Sequence, residues 1–359
     1  MLPLRVDLES IAVIGPFADA ARDSVGPWIF RQDDAETVTI LAGIRKAVGN
    51  ATRVDHSVGV SVPKRLHASI FENPFMPATP RIEVDDDAEI ARAVRLAKEA
   101  EVAVLVLGEA QIMIGEHASR SSLDLPGRQQ ELLEAVIATG TPTVLLIMTG
   151  RPLDLKGAQP DAAMMIWYPG TRTGEAIANL LFGKVVPGGK LPYNWPRNIG
   201  QIPLPYAHLR SFRPDDIETR YWNEPNDPLY PFGFGLSYAR FTYANLRLSA
   251  EQIRVGEPLD VSIEVTNAGG TTADEVAQLY IHQRHGTSAR PVRALKGFER
   301  ITLGAGETRT VTFTLTPNHM RYWSAATRDW VQDATTIDVF VGTSSRETLQ
   351  ASFTVVTAG

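Results

Sequence analysis

A change of hydrophobic period near residue 240 constrains the fold more than any other feature. Before it, nearly continuous apolar runs, IAVIG (11–15), VAVLVLG (102–108), TVLLIMTG (143–150) and AAMMIWYPG (162–170), alternate with stretches such as TVTILAGIRKAVG, AEIARAVRLAKEA, QQELLEAV and RTGEAIANLLFG, whose apolar residues recur at helical spacing. A strand with little polar alternation needs cover on both faces. The first part is therefore α/β, a mostly parallel sheet sandwiched by helices. After residue 240 the period becomes two. FTYANLRLS, LDVSIEVTNAG, EVAQLYIHQ, TRTVTFTLT, TIDVFVG and ASFTVVT alternate apolar and polar residues between turn signals. Roughly seven short strands over about 115 residues predict an all-β sandwich of the immunoglobulin or fibronectin kind. The absence of cysteine favours a fibronectin type III-like sandwich.

The expected organisation is an α/β domain over 1–195, an aromatic- and proline-rich connector over 196–240 and the β-sandwich over 241–359. TRVDHSVG reads as a second strand, residues 60–84 as irregular, and Asp85–Asp87 as the acidic front of a helix that carries Lys98 near its end. Gly49 and Gly183 read as helix stops, and Pro126 as part of a helix's first turn. YPFGFGLSY (230–238) reads as a packed connector with its rings anchored.

A length of 359 residues predicts two domains. Hydrophobic content of 44%, charged content of 21% and a net charge of −6 are those of an ordinary globular chain. Scattered Lys and Arg in an acidic chain argue against a nucleic-acid partner. No apolar stretch reaches membrane-span length, and MLPLRVDLES lacks the signal-peptide pattern. Without Cys, thiol catalysis and cysteine-type zinc sites are excluded. His282 and His285 lack a carboxylate set at ligand spacing. GPFADAARDS after the first strand lacks the glycines of a pyrophosphate loop, and no Gly-x-Ser-x-Gly elbow occurs. No cofactor or metal is expected.

In open α/β sheets, functional loops lie at the carboxyl ends of the strands. GEAQIMIGEHASRSSLDLPGR (108–128) follows VAVLVLG directly and so belongs on that edge. Two glutamates compete there. Glu116 follows Gly115, where the backbone is free to approach a ligand. Glu109 sits immediately after the strand, where satisfying backbone groups is a common duty. A general acid needs a raised pKa, so an arginine should not be its direct partner. Asp124 reads as a loop brace and Glu131 as a solvated helix residue. Trp28, Trp167, Tyr168 and Trp222 are candidates for stacking on a sugar ring, although each is more often core or interface.

Long collinear motifs carry a resemblance. IAVIGPFAD, VLGEAQ, GEHASRSSLDLP, TGRPL, WYPGTRTGEAIANLLFG, PGGKLPYNWPRNIGQIP, LYPFGFGLSY and RPVRALKGFERITLGAGET resemble the C-terminal two-thirds of glycoside hydrolase family 3, of the bacterial periplasmic β-glucosidase type. The resemblance implies an α/β sandwich followed by a fibronectin type III-like domain. It places the acid/base role on Glu116, with Ser119 and Arg120 completing the motif as substrate-binding residues. In the family a (β/α)8 barrel precedes these domains and carries a nucleophilic Asp. No barrel is expected within these residues, since one needs roughly 200 residues or more. The implied activity is the retaining hydrolysis of terminal β-D-glucosidic bonds, with β-glucosides or oligosaccharides as substrates and a barrel as possible partner chain. The isolated chain is expected to be inactive. A non-catalytic carbohydrate-binding or protein-interaction module is the alternative. Compartment is left open.

Overall fold

The computed structural model describes residues 1–29, 33–65, 82–210, 221–346 and 349–357. Most of the proline-rich stretch after residue 60 lies outside them. The chain divides into two compact units, Met1–Val185 and Val186–Gly359.

The first unit is built on β1 (Ser10–Ile14), β2 (Arg53–Ser57), β3 (Val102–Gly108), β4 (Thr143–Met148) and β5 (Ala162–Met165). They form one parallel sheet in the order β2-β1-β3-β4-β5. Helices α1 (Ile40–Val48) and α4 (Thr173–Leu181) supply Ile40, Ile44, Ile177 and Leu181 to one face of the sheet, against Ile11, Val13, Val104, Val106 and Leu146. Helices α2 (Asp86–Lys98) and α3 (Gln129–Ile137) pack with each other and with β1, β2 and β3. Burial on both faces explains why β1, β3 and β4 read as unbroken apolar runs: every residue in them is buried.

The helix ends follow their sequence signals. Thr39 caps α1 by accepting from the Ala42 amide, and Asp85 caps α2 by accepting from that of Ala88. Pro126 departs from expectation. The next helix starts only at Gln129, because Gly127 adopts φ +62, a left-handed conformation no α-helix contains.

Strand order reverses between β1 and β3, so the segments following those strands flank a crevice at the carboxyl edge. Gly108 ends β3 at φ +139, and a Cβ there would lie 2.0 Å from the Met148 carbonyl oxygen. Only glycine permits this approach of β3 to β4 at the point where the chain leaves the sheet.

The second unit contains β6 (Phe241–Leu248), β7 (Gln252–Arg254), β8 (Leu259–Asn267), β9 (Ala273–Gln283), β10 (Ala294–Leu303), β11 (Thr308–Leu315), β12 (Tyr322–Ser324), β13 (Asp329–Val331), β14 (Thr335–Gly342) and β15 (Gln350–Val356). One sheet runs β10-β9-β14-β15-β7, a second β11-β8-β6, and β12 pairs with β13. Their apolar faces, including Val261, Ile263, Leu279, Ile281, Val311 and Phe353, share one core. More strands occur than the alternation indicates, since β7, β12 and β13 have three residues each, too few to display a period. The connector aromatics pack within this unit. Phe232 stacks on Tyr206 with centroids 4.1 Å apart, and both meet the Tyr280 ring edge-on.

Candidate active-site loop

The loop after β3 leaves the sheet with its backbone already satisfied. The fully buried Gln129 side chain accepts from the Gly108 amide (2.7 Å) and donates to the Gly108 carbonyl (2.9 Å), replacing a neighbouring strand. Met148 accepts from the Glu109 amide. A short 3-10 turn, Gln111–Met113, follows, anchored where the Gln111 amide donates to the Asp23 carboxylate at 2.7 Å. Burial holds the Asp23 pKa above its ordinary value, opposed by this hydrogen bond and by Arg22.

Glu109 is fully buried, and its carboxylate is fully engaged. Arg120 Nη1 lies 2.9 Å from Oε1, Arg151 Nε lies 3.2 Å from Oε2, and the Thr149 hydroxyl donates to Oε2 at 2.6 Å. Side-chain ion pairing, rather than satisfaction of backbone groups, is therefore the duty of this carboxylate. The Glu109 carbonyl accepts from the Tyr168 hydroxyl at 2.8 Å. Burial and the nearby Glu109 charge keep that hydroxyl protonated, well above the ordinary tyrosine pKa.

The same two guanidinium groups, joined by that of Arg65, reach into the loop backbone. Arg151 donates to the carbonyls of Met113 (2.9 Å) and Ala118 (3.0 Å), Arg120 to that of Asp124 (2.7 Å), and Arg65 to those of Ile112 (2.8 Å) and His117 (3.2 Å). Asp124 bridges Asp154 and pairs with Lys156 at 3.3 Å, consistent with a bracing role. Ile112, Met113, Ile114, Ala118, Leu123 and Leu125 are buried beneath. Apolar packing and guanidinium–carbonyl bonds thus pin a loop that has no regular ladder of its own.

At the tip the order inverts: Glu116, His117 and Ser119 are exposed. Gly115 at φ +91 and His117 at φ +56 turn the chain on either side of Glu116, whose side chain is 59% exposed. Its Oε1 lies 3.9 Å from His117 Nε2. Arg120, four residues on in sequence, turns inward to Glu109, so the loop's arginine and its exposed carboxylate are separated. Glu131 is on α3, paired with Arg128 at 2.6 Å.

Other candidates divide. Trp28 is 69% exposed on the segment after β1, and Trp167, at φ +54, is exposed after β5; both follow carboxyl ends of strands. Trp222 is fully exposed in the second unit. His282 Nδ1 lies 2.7 Å from the Pro291 carbonyl oxygen. Among the described residues no group of three or more acidic or histidine side chains is gathered to hold a metal ion, and no helix is long and apolar enough to cross a membrane.

The glycosyl hydrolase family 3 C-terminal domain model matches residues 1–238, and the fibronectin type III-like domain model matches residues 275–345. The chain belongs to glycoside hydrolase family 3. It is 39% identical over 360 residues to a periplasmic β-glucosidase of Salmonella typhimurium, covering 98% of this chain and 47% of that protein. A β-xylosidase of Formosa agariphila is 35% identical, covering 96% and 46%. A crystal structure of a β-glucosidase from Listeria innocua in complex with gluconolactone superposes with a TM-score of 0.86 at 31% identity, covering 99% of this chain and 46% of that one. The chain thus spans about half the length of the family members it matches, and the rest of their length lies outside the match.

Sequence reasoning missed Arg65, Arg151, Thr149 and Gln129 as supports of the loop. Arg151 lies in the motif TGRPL, and an arginine just past a buried strand, beside another strand followed directly by Glu109, was the available signal.

Proposed function

We propose that this chain supplies the proton-transferring glutamate of a retaining β-glucosidase, with Glu116 in that role. Retaining glycosidases place two carboxyl groups about 5–5.5 Å apart, one attacking the anomeric carbon and one first protonating the leaving oxygen and then deprotonating water. One observation carries the reading: the loop's other glutamate is buried and neutralised by two arginines, whereas Glu116 stands exposed at the tip that this pairing immobilises. Fixed placement of an acid/base is what the chemistry rewards. Arg120 and Arg151 are positioning residues, and Ser119, exposed three residues after Glu116, is the residue that meets the substrate in this reading. The nucleophilic Asp, borne on a (β/α)8 barrel, comes from residues outside this sequence. The reaction is removal of a terminal β-linked glucose from a β-glucoside or oligosaccharide.

The test pairs the purified chain with the half of the Salmonella relative that lies outside the match. The chain alone should not turn over an aryl β-glucoside. The mixture should, and Glu116→Gln should lower that rate by about 10²–10⁴-fold. Turnover by the chain alone defeats the proposal, as does an active mixture indifferent to Glu116→Gln. Saturable glucose binding without activity in the mixture, unchanged by the substitution, points to a non-catalytic carbohydrate-binding module instead.

A further inference from the structure

Strands β12 and β13 form a hairpin that joins neither sheet of the sandwich. Its inner side is tied down. Tyr322 and Ser324 are buried. The Tyr322 hydroxyl bonds the Asp333 carboxylate and the Thr287 hydroxyl, and the Arg290 guanidinium carbon lies 3.9 Å over the Tyr322 ring. At the turn the Ser324 carbonyl accepts from the Arg328 amide at 2.8 Å.

Successive side chains of a strand point to opposite faces, so Trp323, between Tyr322 and Ser324, faces outward. Trp330 is its direct cross-strand partner. The two indoles are 55% and 54% exposed. Their centroids are 6.1 Å apart and their planes meet at 76°, so the rings do not cover each other face to face. Arg321, two residues before Trp323, is exposed, and its guanidinium carbon lies 5.1 Å from the Trp330 centroid.

The pair leaves roughly 250 Å² of ring surface in water, well short of the about 800 Å² that each partner gives to a stable protein interface. Arg321, Thr327, Arg328 and Asp329, which flank the indoles in the hairpin, are exposed and polar or charged. The surface therefore suits a small occupant with an apolar face and a polar rim. A β-linked glucose ring has that shape. Its hydroxyls are equatorial, so axial C–H bonds make its two faces apolar. Those C–H groups meet the negative face of an indole, and the rim hydroxyls accept from guanidinium N–H groups.

We propose that Trp323 and Trp330, with Arg321, form an oligosaccharide-binding platform on the fibronectin-like sandwich. The choice of β-linked glucose as its ligand rests on the substrate class proposed above, while the platform itself makes no use of Glu116.

The experiment follows the six indole N–H signals of the full chain by NMR, with Trp323 and Trp330 assigned by substitution. Laminaritetraose and cellotetraose are titrated against sorbitol, a polyol without a ring face. The tetrasaccharides should shift the Trp323 and Trp330 signals saturably, and sorbitol should not. Trp323→Ala should weaken binding, read at Trp330, by about fivefold or more, while Trp323→Tyr, which keeps an aromatic face, should stay within about threefold of the parent. Shifts confined to Trp28 and Trp167 overturn the proposal, as does binding indifferent to Trp323→Ala. Trp323 and Trp330 signals that move with protein concentration and not with sugar assign the face to a second copy of the chain and overturn it too. The wild-type titration decides the matter if the alanine variant fails to fold. Absence of these shifts leaves hydrolysis by the mixture untouched, and an inactive mixture leaves the shifts untouched, so the two readings fail separately.

Discussion

Glu109→Gln removes one charge from the centre of the arginine-braced loop while keeping nearly the same volume. Glu109 is fully buried, and Arg120 and Arg151 remain 20% and 21% exposed. Removing one partner of a buried ion pair costs about 3–5 kcal/mol, because the remaining charge is left uncompensated. Residual exposure of the two guanidinium groups and a retained acceptor for Thr149 reduce this to about 2–3 kcal/mol. For a unit of this size the midpoint should fall by about 5–10 °C. Guanidinium denaturation followed by tryptophan fluorescence measures the loss, and hydrogen exchange locates it. Amides of residues 110–118 should exchange faster, since the carbonyls of Met113 and Ala118 depend on Arg151. The double variant Glu109→Gln with Arg120→Met should lose less than the sum of the two single losses. A loss below about 0.5 kcal/mol, the level of a surface substitution, together with unchanged exchange in the loop, refutes the claim that this buried carboxylate fixes the tip.

Glu116→Gln, by contrast, should change stability by no more than about 0.5 kcal/mol, as measured by the same denaturation. Asp23→Asn should stabilise the chain at neutral pH. The raised Asp23 pKa means the native state retains a proton that the unfolded chain has released, so stability falls as pH rises from the ordinary value of 3.8 through the folded one. The variant should flatten that slope in urea titrations. His56 behaves oppositely: burial lowers its pKa, and its Nε2 has no hydrogen-bond partner. Native stability should therefore drop as pH falls from 6.5 to the folded value, and His56→Gln should remove that acid-side loss. In the second unit Lys190 and Glu275 pair at 2.9 Å with 12% and 4% exposure. Lys190→Ala should cost about 3 kcal/mol by stranding the carboxylate, and adding Glu275→Gln should recover part of it.

Much of the architecture was legible because it rests on short-range periodicity. Unbroken apolar runs ending in glycine demanded a two-sided sheet, and they became β1, β3 and β4. Period-two alternation demanded a sandwich with one buried face, and the burial pattern shows it along all of β8 and along β11 from Thr310 onward. The motifs quoted from the sequence pointed to the family, and the loop at 108–128 was assigned to the carboxyl edge because it directly follows β3. The sequence by itself therefore determined the layers, the helix ends apart from the start of α3, and the position of the loop, since each depends on residues within a few positions of one another.

The division of labour within that loop was decided by tertiary structure. Glu109 and Glu116 are chemically identical and seven positions apart in one segment. One is buried because parallel pairing of β3 with β4 brings Thr149 and Arg151, some forty residues away, onto the Glu109 carboxylate. That pairing draws Arg120 inward and leaves Glu116 at the surface. The strand β10 is a second instance: no alternating run marked it, and its β-bulge between Leu295 and Gly297 follows from its register with β9, which no local pattern encodes. Desolvation depends on what the rest of the chain brings near, and that is a property of the folded molecule alone.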